Sequence, residues 1–334
     1  MIPTFEKIQR RVRGDIVRFT RPHAIYPWLY ASTWHAKFFP GGRHFEGSAY
    51  FAAVPNPDAG IGHQMANWIA GYWFAQQFGL KFAHIPFSSP EWETLLGFGA
   101  GEVTVESLKA DSYRVVRLPL FDEGSQKEVA HTRSILASYT GRKVVFLCEQ
   151  DQGYRDQCGV QAAIQEKFHH APARATDRLR FSPDCFNIAI HVRRGDIVAG
   201  QTNGNPNLQL RWLDADYFSK TLDQVLANLR PAKPIAIYLF SQGTRGDFPE
   251  FEKYQNLHWC LDWGPQESFV HLAFADLLAT SKSSFSYKPA LLSKGIKVCP
   301  RNFWHSYPEA PDWVLAEDDA TISAPELRKL HTTQ

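Results

Sequence analysis

The stretch Ile188-Ala189-Ile190-His191-Val192-Arg193-Arg194-Gly195-Asp196 decides how the chain reads. Its first half is apolar and partly β-branched, which predicts a buried strand. The run then stops at two arginines, a glycine and an aspartate. Open α/β sheets bind ligands outside the carboxyl ends of their strands, so this ending carries cations to a ligand rim. A guanidinium donates two parallel hydrogen bonds to a phosphate. On an extended chain Arg193 and Arg194 point to opposite faces. Both can meet one ligand only where the strand ends and the backbone turns, which Gly195 permits. The stretch reads as a diphosphate clamp. Surface salt bridges to Asp196 or other acids would explain the same residues. His191, on the same face as Arg193, reads as a positioning residue.

Outward from this strand, elements alternate on both sides. Downstream come a polar loop over 199–211, a helix capped by Asp214 or Asp216 that runs to about Leu229, and a strand over 234–240 that ends at Ser241. A polar helix-like stretch, a strand over 257–260, a helix over 267–278 and a strand over 296–299 follow. Ser283-Ser284-Phe285-Ser286 sits at a predicted helix start, where hydroxyls and free N–H groups suit a phosphate or a sugar, or simply cap the helix. Upstream, a strand over 49–54 leads through a turn containing Gly60 and Gly62 into a helix ending at Gly79, then a strand over 81–85. Glycines before a helix let backbone approach a ligand, though many such turns hold none. Further strands are predicted over 113–118 and 143–148, with helices over 124–139 and 157–169. Strands and helices alternate, as parallel sheets require, so the expected fold class is α/β. The expected division is residues 1–180 and 181–334.

Bulk composition narrows the function. A length of 334 residues with 44% hydrophobic content supports two cores. The net charge of +2 gives no basic field of the kind nucleic-acid binding needs, so no nucleic-acid partner is expected. The five cysteines lack C-x-x-C spacing and read as free thiols of a reducing compartment. No run reaches the ~20 apolar residues of a membrane span, and no signal peptide is legible, so the expected location is the cytoplasm. Residues 1–25 form a basic amphipathic segment with Lys7, Arg10, Arg11, Arg13, Arg18 and Arg21. That composition suits peripheral contact with the inner face of a membrane, or docking on its own domain.

Five blocks together resemble a known family. His191-Val192-Arg193-Arg194-Gly195-Asp196 resembles the H-x-R-R-G-D motif of α-1,2-fucosyltransferases and, more loosely, that of α-1,6-fucosyltransferases. Gly60-Ile61-Gly62-His63-Gln64 resembles their Gly-x-Gly-Asn-Gln, and Phe240-Ser241 falls where they have Phe-Ser-Asp-Asp. Ser283-Ser284-Phe285-Ser286 resembles their Asn-Ser-Ser-Phe-Ser-Trp-Trp, and Lys297-Val298-Cys299-Pro300 with Trp304 resembles their closing strand. His63, Gln242-Gly243 and Tyr287-Lys288 depart from the family pattern.

The resemblance implies a GT-B fold, with two Rossmann-like domains facing a cleft. It also implies an inverting, metal-independent transfer of fucose from GDP-fucose to a glycan or glycolipid hydroxyl, with no cofactor. Arg193 and Arg194 would contact the GDP diphosphate, held by Asp196 and His191. Gly60, Gly62, Ser241, Ser283, Ser284, Phe285 and Ser286 would line the donor pocket, and His63 would face the donor from the first domain. Asp58, Asp196 and His63 are the candidate general bases. The alternatives are another GDP-sugar as donor, or a catalytically inactive nucleotide-sugar or carbohydrate binder.

Overall fold

The computed structural model describes residues 11–12, 15–16, 19–20, 23, 48–149, 157–195, 197–198 and 206–332. Asp196, the loop residues 199–205 and most of the basic segment 1–25 lie outside the described residues. The chain forms two compact units. The first comprises Met1–Val54, Ala70–Ile85 and Glu102–Gln152; the second comprises Pro55–Ile69, Pro86–Gly101 and Gly153–Gln334.

The elements of the first unit are β1 (Ala49–Ala53), the later turns of α1 (Ile61–Gln77) and β2 (Lys81–Phe82). Further along the chain, α2 (Pro90–Leu96) falls in the second unit, and α3 (Val105–Ala110), β3 (Arg114–Arg117), α4 (Gln126–Ala137) and β4 (Val144–Cys148) return to the first. The strands pair in the order β2-β1-β4-β3, all parallel. β1 and β4 are nearly all buried, which is why both are continuous apolar runs rather than alternating ones. Gly79, at φ +66°, closes α1 as expected.

The second unit continues through α5 (Gln161–His169), β5 (Phe186–His191), α6 (Pro206–Gln209), α7 (Ala215–Asn228) and β6 (Ile235–Ser241). It ends with β7 (Leu257–Leu261), α8 (Pro265–Phe274), β8 (Leu277–Ala279), α9 (Ser284–Leu292), β9 (Ile296–Pro300), β10 (Trp313–Ala316) and α10 (Ala324–Thr332). The sheet order is β10-β9-β8-β5-β6-β7, every pair parallel. Read from β7, this is the 3-2-1-4-5-6 order of doubly wound folds. Strand order reverses between β5 and β8, and the crevice at that switch is where such sheets bind ligands. The fold class is thus α/β, with two Rossmann-like parallel sheets.

Several readings shift against the structure. A division at 180 would cut through the second unit, which also takes in residues 55–69 and 86–101. Contacts distant in sequence explain why: Trp92 packs on Phe269 at 5.3 Å, and Arg174 Nη2 donates to Leu95 O at 3.0 Å. Gln64 is buried and donates to Ala59 O at 2.8 Å and Ser88 Oγ at 2.7 Å, and Trp68 packs on Phe98 at 4.7 Å. The apolar run over 267–278 is not one helix: α8 stops at Phe274 and β8 begins at Leu277. Asp276 intervenes, and its carboxylate accepts the Asn187 N–H at 2.7 Å, which pins the start of β8 to β5. Periodicity alone does not separate a short buried strand from a helix end. The polar stretch after β6 holds two 3₁₀ turns, Arg245–Asp247 and Pro249–Phe251. β10 and α10 lie beyond the residues the sequence made legible.

α5 grips the end of α9. From α5, Gln161 Nε2 donates to Leu291 O at 3.2 Å, and Gln165 Nε2 donates to Leu291 O at 3.0 Å and Ser293 O at 3.1 Å. His169 Nε2 lies 2.9 Å from Leu292 O. These side chains satisfy carbonyls that the end of α9 would otherwise leave open.

Candidate functional site

β5 ends at His191, and Val192 still donates its N–H to Phe240 O at 2.9 Å. The chain then turns through Gly195 at φ +70°. This is the turn that lets consecutive arginines serve one site. Ser281, just past β8, stitches the switch point: its hydroxyl accepts the Arg193 N–H at 2.9 Å and donates to His191 O. Ser241, at the end of β6, donates to Val192 O at 2.7 Å.

The two arginines divide the work. Arg193 Nη1 donates to Ser283 Oγ at 3.1 Å, and that same oxygen caps α9 by accepting the Phe285 N–H at 3.2 Å. Arg194 Nη1 donates to Arg193 O at 2.9 Å and Leu213 O at 3.0 Å. Its guanidinium lies 4.3 Å from the Trp212 ring and 5.6 Å from that of Phe248. Burial pulls its pKa below the ordinary arginine value, while Asp214, Glu250 and Asp247 act the other way. Asp214 heads α7 without a side-chain cap, because its Oδ1 takes the Trp212 indole N–H at 2.6 Å.

A cavity of about 580 Å³ opens beside these residues, within the range of small-molecule sites. Gly60, Gly62, His63, His191, Arg193, Arg194, Ser241, Ser283, Ser284 and Phe285 all line it. The structure therefore gathers nearly every residue singled out from the sequence. Ser286 is the exception: it is fully buried, and its hydroxyl accepts the Ser281 N–H at 3.1 Å. Asp58 is exposed and does not line the cavity, and Asp196 lies outside the described residues.

Two helix starts, α1 at Ile61 and α9 at Ser284, meet at this cavity. They pack so closely that a methyl group on Gly62 would come within 2.8 Å of the Ser284 carbonyl carbon. Both are positive dipole ends, so with the arginines they favour an anion. His191 adds no charge: burial and then Arg193 hold its pKa down to about 3. Its Nδ1 is buried and has no hydrogen-bond partner among the described residues.

Ile61, Val192, Arg211, Gln242, Asp262, Trp263, Pro265, Ser268 and Trp304 complete the lining. Of these, Arg211, Asp262, Trp263, Pro265 and Ser268 are not among the residues singled out from the sequence, although Asp262-Trp263-Gly264-Pro265 directly follows a strand and so meets the same rim criterion as Arg193. Asp262 sits at φ +54° and donates its backbone N–H to Ser241 O at 2.9 Å. Tyr287 and Lys288, two of the departures from the family pattern, are buried and stand outside the cavity. Cys148, Cys260 and Cys299 are buried free thiols. No helix among the described residues is long and apolar enough to cross a membrane.

No model of a known protein family matches the chain, and no curated protein matches it in sequence. Among solved structures, it is similar to a NodZ α-1,6-fucosyltransferase soaked with GDP-fucose, at 14% identity and TM-score 0.43, over 73% of this chain and 93% of that one. It is also similar to the fucosyltransferase NodZ from Bradyrhizobium, at 12% identity and TM-score 0.44, over 73% and 94% of the two chains.

Proposed function

We propose that this cavity is the donor site of a glycosyltransferase of GT-B arrangement that moves fucose from GDP-fucose to a hydroxyl of a glycan or glycolipid acceptor. The reaction is inverting and metal-independent, with an α-1,2 or related linkage. One observation carries the reading: Arg193, tied to the Ser283 cap, and two helix starts converge at the switch point of a doubly wound sheet. When the glycosyl bond breaks, its electron pair leaves with the diphosphate, and charge grows on the phosphate oxygens. Preorganised donors aimed at that charge supply the largest catalytic effect in such sites. Arg193 and the helix N–H groups meet the charge; Arg194 holds the turn and adds its field.

Base recognition follows from Asp262. A carboxylate accepts from two adjacent donors at once, the pattern that guanine offers at N1–H and N2–H₂ and uracil does not. Of the two candidate bases among the described residues, Asp58 and His63, it is His63 that lines the cavity.

A thermal-shift series with GDP, GDP-fucose, GDP-mannose and UDP tests the donor, because a ligand of the folded state raises the melting temperature with its affinity. GDP and GDP-fucose should shift it and UDP should not. Arg193→Ala should abolish transfer in a folded protein. Normal turnover in that variant, or a UDP shift without a GDP shift, overturns the reading.

A further inference from the structure

A second cavity, of about 270 Å³, opens along β7, the outermost strand on its side of the sheet. Arg180, Tyr238, Arg245, His258, Trp259 and Trp263 line it, and Trp263 is also a wall of the larger cavity. The reading of the donor site leaves this second space unused.

Its lining contains two guanidiniums and no carboxylate. The Arg180 guanidinium lies 4.3 Å from the Trp263 ring, and one of its nitrogens engages Glu267 at 2.8 Å. The Arg245 guanidinium lies 5.6 Å from the Trp259 ring and has no carboxylate partner among the described residues. Asp247, the acid nearest to it in sequence, is committed elsewhere. Its Oδ2 accepts the Thr244 N–H at 2.7 Å and the Thr244 hydroxyl at 2.9 Å, which hold its pKa below the usual carboxylate value. Cys260 adds no negative charge, since burial pushes its thiol up to about 12.

The walls are flat and aromatic. His258 stacks on Tyr238 with ring centroids 4.5 Å apart and planes 13° from parallel, and its Nε2 lies 3.2 Å from Asn256 Oδ1. A guanidinium resting on an indole is oriented by the ring face and turns its N–H fork outward. Such a fork matches a carboxylate or a phosphate. The volume falls just below that of drug-sized sites, which limits the occupant to about one sugar ring.

We propose that this cavity is a second oxyanion site, which takes a sugar-sized molecule bearing a carboxylate or a phosphate ester, gripped by Arg180 and Arg245 against the aromatic walls. Calorimetric titration of the full chain with glucuronate, glucose 6-phosphate, inorganic phosphate and glucose tests it, with and without saturating GDP. At least one of the two acidic sugars should bind, and which one does identifies the anion. Glucose should not bind, and GDP should not displace the acid. Arg245→Ala should weaken binding by about tenfold or more, the loss expected for one charge-assisted hydrogen bond. Arg245→Lys should recover part of it. Arg245 is exposed, so both variants keep the wild-type melting temperature. Equal binding of glucose or of inorganic phosphate, displacement by GDP, or unchanged affinity in Arg245→Ala overturns the proposal. The arginine variants report on this cavity whether or not GDP occupies the other.

Discussion

Gly62→Ala isolates the meeting of two helix starts. A Cβ at position 62 would lie 2.8 Å from the Ser284 carbonyl carbon and 2.9 Å from its Cβ and its oxygen. Two of these three atoms are backbone, so no flexible side chain can swing aside. Reaching the 3.4 Å at which ordinary contact begins requires the two starts to part by roughly 0.6 Å. Overpacking of this kind costs about 1–3 kcal/mol. For a chain of 334 residues, at about 2.1 cal/mol/K of unfolding entropy per residue, that is a fall in melting temperature of about 1–4 °C. The sign is diagnostic, because glycine to alanine inside a helix otherwise stabilises by up to ~1 kcal/mol. Displacing the N–H groups that face the anion should also lower kcat/KM by about 10- to 100-fold, the effect of a misplacement approaching 1 Å. Gly60→Ala is the matched control, since a methyl group there meets nothing within 4 Å. Its stability should stay within about 0.5 kcal/mol of wild type. Differential scanning calorimetry and GDP titration of both variants decide the matter. Wild-type stability and GDP affinity in Gly62→Ala, or equal damage in Gly60→Ala, would refute the reasoning.

Arg194→Ala should differ from Arg193→Ala, because it also loses two carbonyl partners and the stack on Trp212. A melting temperature lower than that of Arg193→Ala is expected, and equal melting temperatures would contradict the division of roles. His191 has a folded pKa of about 3 against ~6.5 in the unfolded chain. Between those values the unfolded chain binds more protons, so this residue's contribution to stability falls as pH drops from ~6.5 toward ~3. The stability gap between wild type and His191→Gln should therefore shift toward the variant between pH 7 and pH 4.5; a constant gap in denaturant titrations at both would disprove the buried neutral histidine. Lys297 is buried and ion-paired with Asp312. Asp312→Asn leaves that cation without its partner and should cost up to about 3 kcal/mol. Adding Lys297→Met should recover part of the loss, and urea denaturation of both proteins checks it.

The site was legible where a strand ends in residues too polar to be core. Arg193 and Arg194 stood out because nothing about a buried β5 calls for two cations after it. Ser283 and Gly62 came from short patterns whose function is partly mutual: Ser283 holds Arg193, and Gly62 makes room for Ser284. The sequence could not show that the Gly60 loop and α2 belong to the second unit, because Gln64 meets Ser88, Trp68 meets Phe98 and Trp92 meets Phe269 only through long-range contacts. β8 was hidden because Leu277 to Ala279 continues the apolar character of α8 without a glycine or proline between them. Asp262 and Trp263 escaped notice because β7 is a half-exposed edge strand with weak alternation, so its end did not register as a rim.

The grip of α5 on the last carbonyls of α9 gives the anion site a remote anchorage. α9 begins at the cavity and ends, about 13 Å away at 1.5 Å per residue, in the side chains of Gln161, Gln165 and His169. The helix is held like a beam with one end free to meet a ligand and the other clamped. The amides of Gln161 and Gln165 and the imidazole of His169 take up its negative end. If the cavity holds a nucleotide as proposed, damage in α5 would surface as a slack hold on it, and residues far from the cavity would score as functional in a mutational survey of this chain.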